Sequence, residues 1–133
     1  MITRPLPRSR LDADDTQIAE RFRALEEPRR RRLACALVRE AHAELPVTLP
    51  PTILGLLGTA GIATPAQLGE LDRLAATTGG PPVDDDFRRA RIVAAARYAL
   101  SPQPRAAEEA VHEALHARKS FVLALDVLRH RLD

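Results

Sequence analysis

The chain has 133 residues, of which 45% are apolar but only 3% aromatic, so its core must be built from Ala, Leu, Val and Ile. Eighteen acidic residues nearly balance twenty basic ones. A net charge of +2 gives no basis for assigning the protein to nucleic-acid or membrane binding. A single cysteine, Cys35, excludes an internal disulfide and is typical of a reducing compartment. This length suits one domain with a sizeable core.

The N-terminal segment has no hydrophobic period. Residues 1–13 carry Pro5 and Pro7 and are predicted to form a flexible arm. Residues 14–133 are predicted to form a single helical domain, with a possible internal boundary at the Gly-Gly-Pro-Pro stretch in 79–83. No apolar run approaches the length of a membrane span, so we expect a soluble, cytoplasmic protein.

The first two predicted helices meet at a proline. Asp14 or Asp15 is a suitable capping residue for a helix that buries Ile18, Ala19, Phe22 and Leu25. Pro28 interrupts that helix but is tolerated in the first turn of a second one, which we expect to reach about Ala43. Three prolines within residues 45–51 predict an extended connector.

Three further helices are predicted before the C-terminal region. A short one runs from Thr52 to Leu57 and ends at one of the following glycines. The next begins at Thr64-Pro65, where Gln67 stands three residues after the capping threonine and can reach back to it. The third begins at the acidic triplet 84–86, which we interpret as helix caps, and runs to Leu100.

The last thirty residues contain no helix breaker after Pro104. This segment is predicted to form a continuous helix of roughly 40 Å. One face of that helix is predicted to be apolar over its whole length, interrupted only by Arg118. The fold class is therefore predicted to be all-α, a bundle of five to six helices that ends in a long amphipathic C-terminal helix. The apolar face is made by alternating steps of four and three: Ala107, Val111, Ala114, Phe121, Leu125, Leu128 and Leu132.

The C-terminal part of this face is a candidate protein interface, because a small domain rarely leaves such a stripe in water. The alternative is that it closes its own bundle. The predicted interface residues are Phe121, Val122, Leu125, Leu128 and Leu132.

Residues 112–116 read His-Glu-Ala-Leu-His and fit the H-E-x-x-H pattern, in which two histidines one turn apart can bind one zinc ion. The pattern resembles the metal-binding helix of zinc metallopeptidases, which implies His112 and His116 as ligands and Glu113 as general base. In the register of the long helix both histidines face solvent, and no third ligand follows nearby. We therefore predict that the match is fortuitous and that the protein binds no cofactor or metal.

Arginines cluster around Pro28. The order of helix, proline break and Arg-rich second helix, followed by the helix and tight turn at 56–64, resembles helix-turn-helix repressors of the ArsR type over residues 16–77. This resemblance implies a DNA- or RNA-binding regulator. Its expected contact residues are Arg21, Arg23, Arg29, Arg30, Arg31, Arg32 and Arg73.

Two function classes follow. The leading prediction is a non-enzymatic helical module that binds another protein or itself, since no catalytic set can be assembled from the sequence. The alternative is the nucleic-acid-binding regulator, and a zinc metallopeptidase is a remote third.

Overall fold

The computed structural model describes residues 9–78 and 84–133, and all regular secondary structure in these ranges is helical. The all-α prediction is confirmed. Eight helices are present there, more than the five or six predicted, because one forms before the first predicted helix and the C-terminal region forms two. They are α1 (Arg10–Asp14), α2 (Thr16–Ala24), α3 (Glu27–Glu44), α4 (Pro51–Thr59), α5 (Pro65–Thr78), α6 (Asp84–Ala99), α7 (Ala106–Ala117) and α8 (Phe121–Arg131).

Helix α1 corrects the prediction of a flexible arm over residues 1–13. Ser9 caps α1, and its backbone N–H donates to Asp12 Oδ2 at 2.9 Å. Leu11 is fully buried in the main core. This one apolar side chain anchors the helix, a signal too short to show a period in the sequence. Residues 1–8 lie outside the described residues.

The junction between α2 and α3 forms as predicted. Asp15 caps α2 and accepts a hydrogen bond from the backbone N–H of Ile18 at 3.0 Å, which lowers the pKa of that carboxyl. Pro28 lies in the first turn of α3, where a missing N–H costs nothing. Cys35 on α3 is buried, and burial raises the pKa of its thiol, so it behaves as a small hydrophobic residue.

Helix α5 begins with the predicted reciprocal cap. The backbone N–H of Thr64 donates to Gln67 Oε1 at 2.8 Å, and the backbone N–H of Gln67 donates to the Thr64 hydroxyl at 3.2 Å. Just before it, the α4–α5 turn is tied to the end of α6 because Ala63 N–H donates to the carbonyl of Leu100 at 2.9 Å.

Loss of this cap should be measurable. Thr64→Ala is expected to lower the free energy of unfolding by about 1 kcal/mol, since it leaves one helix-terminal N–H without its partner. Thr52→Ala, at an exposed first-turn position of α4, is the matched control and should change stability by less than about 0.5 kcal/mol. Urea unfolding of both variants measures the difference. Equal losses would contradict the capping role.

Helix α7 is the centre of the fold. Nine of its twelve residues are buried, and it contacts α1, α2, α3, α6 and α8. Small side chains on α6 and α7 share the core and permit close helix packing. The largest fully buried side chains come from all eight helices or the ends of helices: Leu11, Ile18, Phe22, Val38, Ile53, Leu57, Leu71, Ile92, Val93, Leu100, Leu115 and Leu128.

The predicted long C-terminal helix is wrong, because the chain breaks between α7 and α8. Arg118 has extended backbone angles, φ −73° and ψ 151°, and Ser120 caps α8 by accepting from the N–H of Leu123 at 3.3 Å. The carboxylate of Glu44, at the end of α3, accepts hydrogen bonds from the Arg118 side chain and from the backbone N–H of Lys119. These hydrogen bonds stabilise the turn, so the chain does not continue as a helix here.

No helix within the described ranges is long and apolar enough to cross a membrane. The possible domain boundary at 79–83 lies outside the described residues.

Candidate functional site

An apolar groove runs between α3, α7 and α8, where the break after α7 turns the chain away from its axis. Its volume is about 630 Å³. The floor is formed by aliphatic side chains of α3 and α7, and one edge is formed by α8. The lining residues are Leu37, Glu40, Glu44, Ala114, Leu115, Arg118, Lys119, Ser120, Leu123, Ala124 and Val127.

Charged side chains at the rim of the groove are paired within the chain. Glu40 accepts two hydrogen bonds from Arg131, at 2.7 and 2.9 Å. Glu44 pairs with Arg118 at 2.8 Å. Burial by itself would raise the pKa of Glu44, but hydrogen bonds from Arg118 and the Lys119 backbone outweigh it and lower that pKa. The groove therefore presents an apolar surface with a largely neutralised rim.

Helix α8 buries one apolar face and exposes another. Val122, Leu123 and Val127 are 73%, 68% and 49% exposed, respectively. Leu123 and Val127 also line the groove, so the exposed ridge and the groove are adjacent. We call the exposed side chains Val122, Leu123 and Val127 the α8 ridge. Large apolar side chains clustered at one surface are typical of interaction sites.

The five predicted interface residues differ in how far they are exposed to solvent. Val122 is exposed, whereas Leu128 is fully buried within the chain, and Phe121, Leu125 and Leu132 are partly buried against the main core. The predicted seam thus packs inward over most of its length. Leu123 and Val127 were not among the predicted residues because they fall off that seam, and the position of α8 after the break places them beside the groove.

Four of the seven arginines predicted to contact nucleic acid make polar side-chain contacts within the chain. Arg23 pairs with Glu108 and Asp12 in a partly buried site. Arg30 donates to the backbone carbonyls of Arg23 and Leu25 at the end of α2. These contacts tie α2 to its neighbours.

The remaining candidates differ in their surroundings. Arg31 pairs with Glu27, and Arg21 pairs with Asp133. Exposed side chains without an ion pair to any described residue remain at Arg29 and Arg32 on α3 and at Arg73 on α5. Nucleic-acid binding through these arginines stays a prediction.

The two histidines of the H-E-x-x-H pattern do not face solvent, which corrects the register argument. His112 is buried, and its Nδ1 lies 2.6 Å from Asp14 Oδ2. His116 is partly buried, and its Nε2 lies 2.9 Å from Asp14 Oδ1. A third potential ligand therefore exists, but it comes from α1, far upstream in the chain. In the sequence, Asp14 stood out only as a possible helix cap.

The carboxylate of Glu113, the implied general base, forms ion pairs with two arginines. One carboxylate oxygen lies 2.7 Å from Arg10 and the other 3.2 Å from Arg91. Both carboxylate oxygens of Glu113 are therefore engaged by guanidinium groups. The geometry thus gives no support to the peptidase assignment, although it brings both histidines together with a carboxylate.

No protein family, curated protein or solved structure matches this chain.

Proposed function

We propose that this protein is a non-enzymatic helical interaction module that pairs with a second copy of itself through the α8 ridge and the adjoining groove. The single observation behind this proposal is that an exposed apolar ridge and an apolar groove lie side by side on one surface. A surface that contains both a ridge and a groove is suited to a two-fold interface, in which each copy uses the same patch.

An antiparallel arrangement of the two α8 helices satisfies this symmetry. If the two-fold axis passes midway between Leu123 and Val127, Leu123 packs against Val127 of the partner subunit, and the reverse contact follows. Glu40 is already paired with Arg131 within each copy. This arrangement therefore rests on the contact of apolar groups with apolar groups.

The expected affinity is modest. Full burial of a Val or Leu side chain contributes about 1.5–3 kcal/mol, and the ridge of each copy adds two or three such side chains. Association costs about 4–15 kcal/mol in lost translational and rotational freedom and in side-chain ordering. The two terms are of similar size, so we expect a concentration-dependent dimer whose Kd is no tighter than about the micromolar range. Association is favoured because the acidic side chains at the rim are already paired with arginines, so little unpaired charge has to be desolvated.

Sedimentation equilibrium tests the proposal. The chain has a mass of 14.6 kDa, and we expect the wild type to approach twice that value at about 0.1 mM. Leu123→Asp combined with Val127→Asp should weaken association by roughly 100-fold or more, because both copies lose their apolar contacts. Far-UV circular dichroism should be unchanged, since both side chains are largely outside the core.

Ile62→Asp is the matched control, because Ile62 is similarly exposed, at 53%, but lies in the turn between α4 and α5. This variant should associate like the wild type. A wild type that remains at 14.6 kDa up to about 1 mM would contradict self-pairing. Equal weakening by the control substitution would place the interface elsewhere.

A further inference from the structure

Asp14 differs from the other acidic side chains of low exposure in the type of its ion-pair partners. The side chains of Glu108 and Glu113 are 8% exposed, and each pairs with arginine. Asp12 also pairs with an arginine, Arg23. Asp14 is equally buried, at 10% exposure, yet within the described ranges its ion-pair partners are two imidazoles and no guanidinium or ammonium group. Two imidazole rings and one carboxylate are side chains of the kind that bind a metal cation.

The three side chains form a compact donor set. Their candidate ligand atoms all lie within 4.8 Å of one another. His112 and His116 are one helical turn apart on α7, with ring centroids separated by 4.4 Å, so both rings point to the same side. Asp14 is the last residue of α1 and closes the set from the opposite side. The His116 side chain is 30% exposed, which leaves one side open to solvent.

We propose that Asp14, His112 and His116 bind one divalent transition-metal ion of the zinc type. Two imidazole nitrogens and one carboxylate oxygen suit Zn²⁺, whereas Mg²⁺ and Ca²⁺ prefer oxygen ligands alone. The ligand atoms would be Asp14 Oδ1 or Oδ2, His112 Nδ1 and His116 Nε2, with a fourth position left for water. This set differs from the peptidase reading, since Asp14 is the third ligand and Glu113 remains paired with Arg10 and Arg91.

Metal binding would require the candidate ligand atoms, which lie within 4.8 Å of one another, to move by about 1.5 Å or less. Tetrahedral zinc with bonds of about 2.0–2.1 Å separates its ligand atoms by about 3.3 Å. The two carboxylate–imidazole distances, 2.6 and 2.9 Å, are hydrogen-bond distances and have to open by less than about 1 Å. Asp14 ends α1 and is followed by the extended Asp15, so this carboxylate can move without disturbing a helix interior.

Metal binding here would join elements that are distant in sequence. Asp14 belongs to α1 and the histidines to α7, and the ring of His116 stacks on Phe121 at the start of α8, with centroids 4.4 Å apart. The ion would therefore cross-link α1 and α7 and fix the His116 ring against α8. We infer a structural, stabilising role that is independent of the proposed self-association.

Isothermal titration of the chelator-treated full chain with Zn²⁺ tests the proposal. We expect one ion per chain and a rise in Tm of roughly 5–10 °C once free Zn²⁺ exceeds its Kd about 100-fold. Titration with Co²⁺ should produce the visible absorption of a four-coordinate site. Asp14→Asn and His116→Gln should each weaken Zn²⁺ binding by roughly 100-fold or more, because each removes one ligand from a three-residue site.

His130→Gln is the matched control, since His130 is an exposed histidine on α8 whose ring contacts Asp126. It should bind Zn²⁺ like the wild type. A wild type that takes up no stoichiometric Zn²⁺, or binding that survives Asp14→Asn and His116→Gln together, would overturn the site.

A second measurement on the wild type keeps the test decisive if a variant fails to fold. Long-range ¹H–¹⁵N spectra report each ring nitrogen of the four histidines. Zn²⁺ should shift the signals of His112 and His116 and leave those of His42 and His130 unchanged. Shifts confined to His42 or His130 would contradict the proposal.

Discussion

Leu128→Ala is expected to lower the free energy of unfolding by about 2–5 kcal/mol, the range for removing a large aliphatic side chain from a packed core. Leu128 lies on α8 but is fully buried in the main cluster. Its loss leaves a cavity where α8 packs onto the bundle. Urea unfolding followed by far-UV circular dichroism measures the change.

Leu123→Ala provides the control within the same helix. Leu123 is 68% exposed, so its truncation should change stability by less than about 0.5 kcal/mol in the monomer. The comparison has to be made at low micromolar protein, where self-association contributes little. If both substitutions cost the same, α8 does not pack in the orientation described. This pair also separates the inward face of α8 from the ridge proposed to bind a second copy.

Arg23→Ala is expected to lower the free energy of unfolding by about 3 kcal/mol. Arg23 donates to Glu108 at 2.6 and 3.1 Å and to Asp12 at 2.8 Å. Hydrogen bonding to Glu108 raises the pKa of the guanidinium above its ordinary value. Removal of the arginine takes the counter-charge from the buried carboxylate of Glu108, which costs about 3–5 kcal/mol in buried pairs. The lower end applies because Arg23 is 22% exposed.

Arg21→Ala is the control for this pair. Arg21 also forms an ion pair, with Asp133, but both side chains are about half exposed. Exposed pairs contribute little, and the change should stay below about 0.5 kcal/mol. A double substitution, Arg23→Ala with Glu108→Ala, should cost less than the sum of the two single changes, because the unpaired carboxylate is removed. Additive losses would show that Arg23 and Glu108 are not coupled.

Local signals were enough to predict most helix boundaries. Asp15 caps α2, Pro28 opens α3, and Thr64 with Gln67 begins α5, each as expected from short-range hydrogen bonding and proline geometry. Those interactions involve residues within four positions of one another. The local sequence therefore accounts for where these helices begin.

The break between α7 and α8 could not be predicted in the same way. Neither Gly nor Pro occurs there, and the hydrophobic period continues across it. Arg118 in the apolar seam and Ser120 as a possible cap were the available signals. The deciding contact is Glu44, which binds Arg118 and Lys119 from the end of α3, more than seventy positions away in the chain. A break imposed by such a partner has no local signature.

The sequence by itself determined that the chain is helical, where most of its helices begin, and that Cys35 and the alternating Leu, Val and Ala positions are buried. Helix period and capping depend on neighbours along the chain. Only the tertiary structure decided which face α8 leaves exposed and that Asp14 meets His112 and His116. Both depend on how α1 and α8 pack against the central helix α7. That packing involves contacts between residues more than seventy positions apart, which no local sequence pattern indicates.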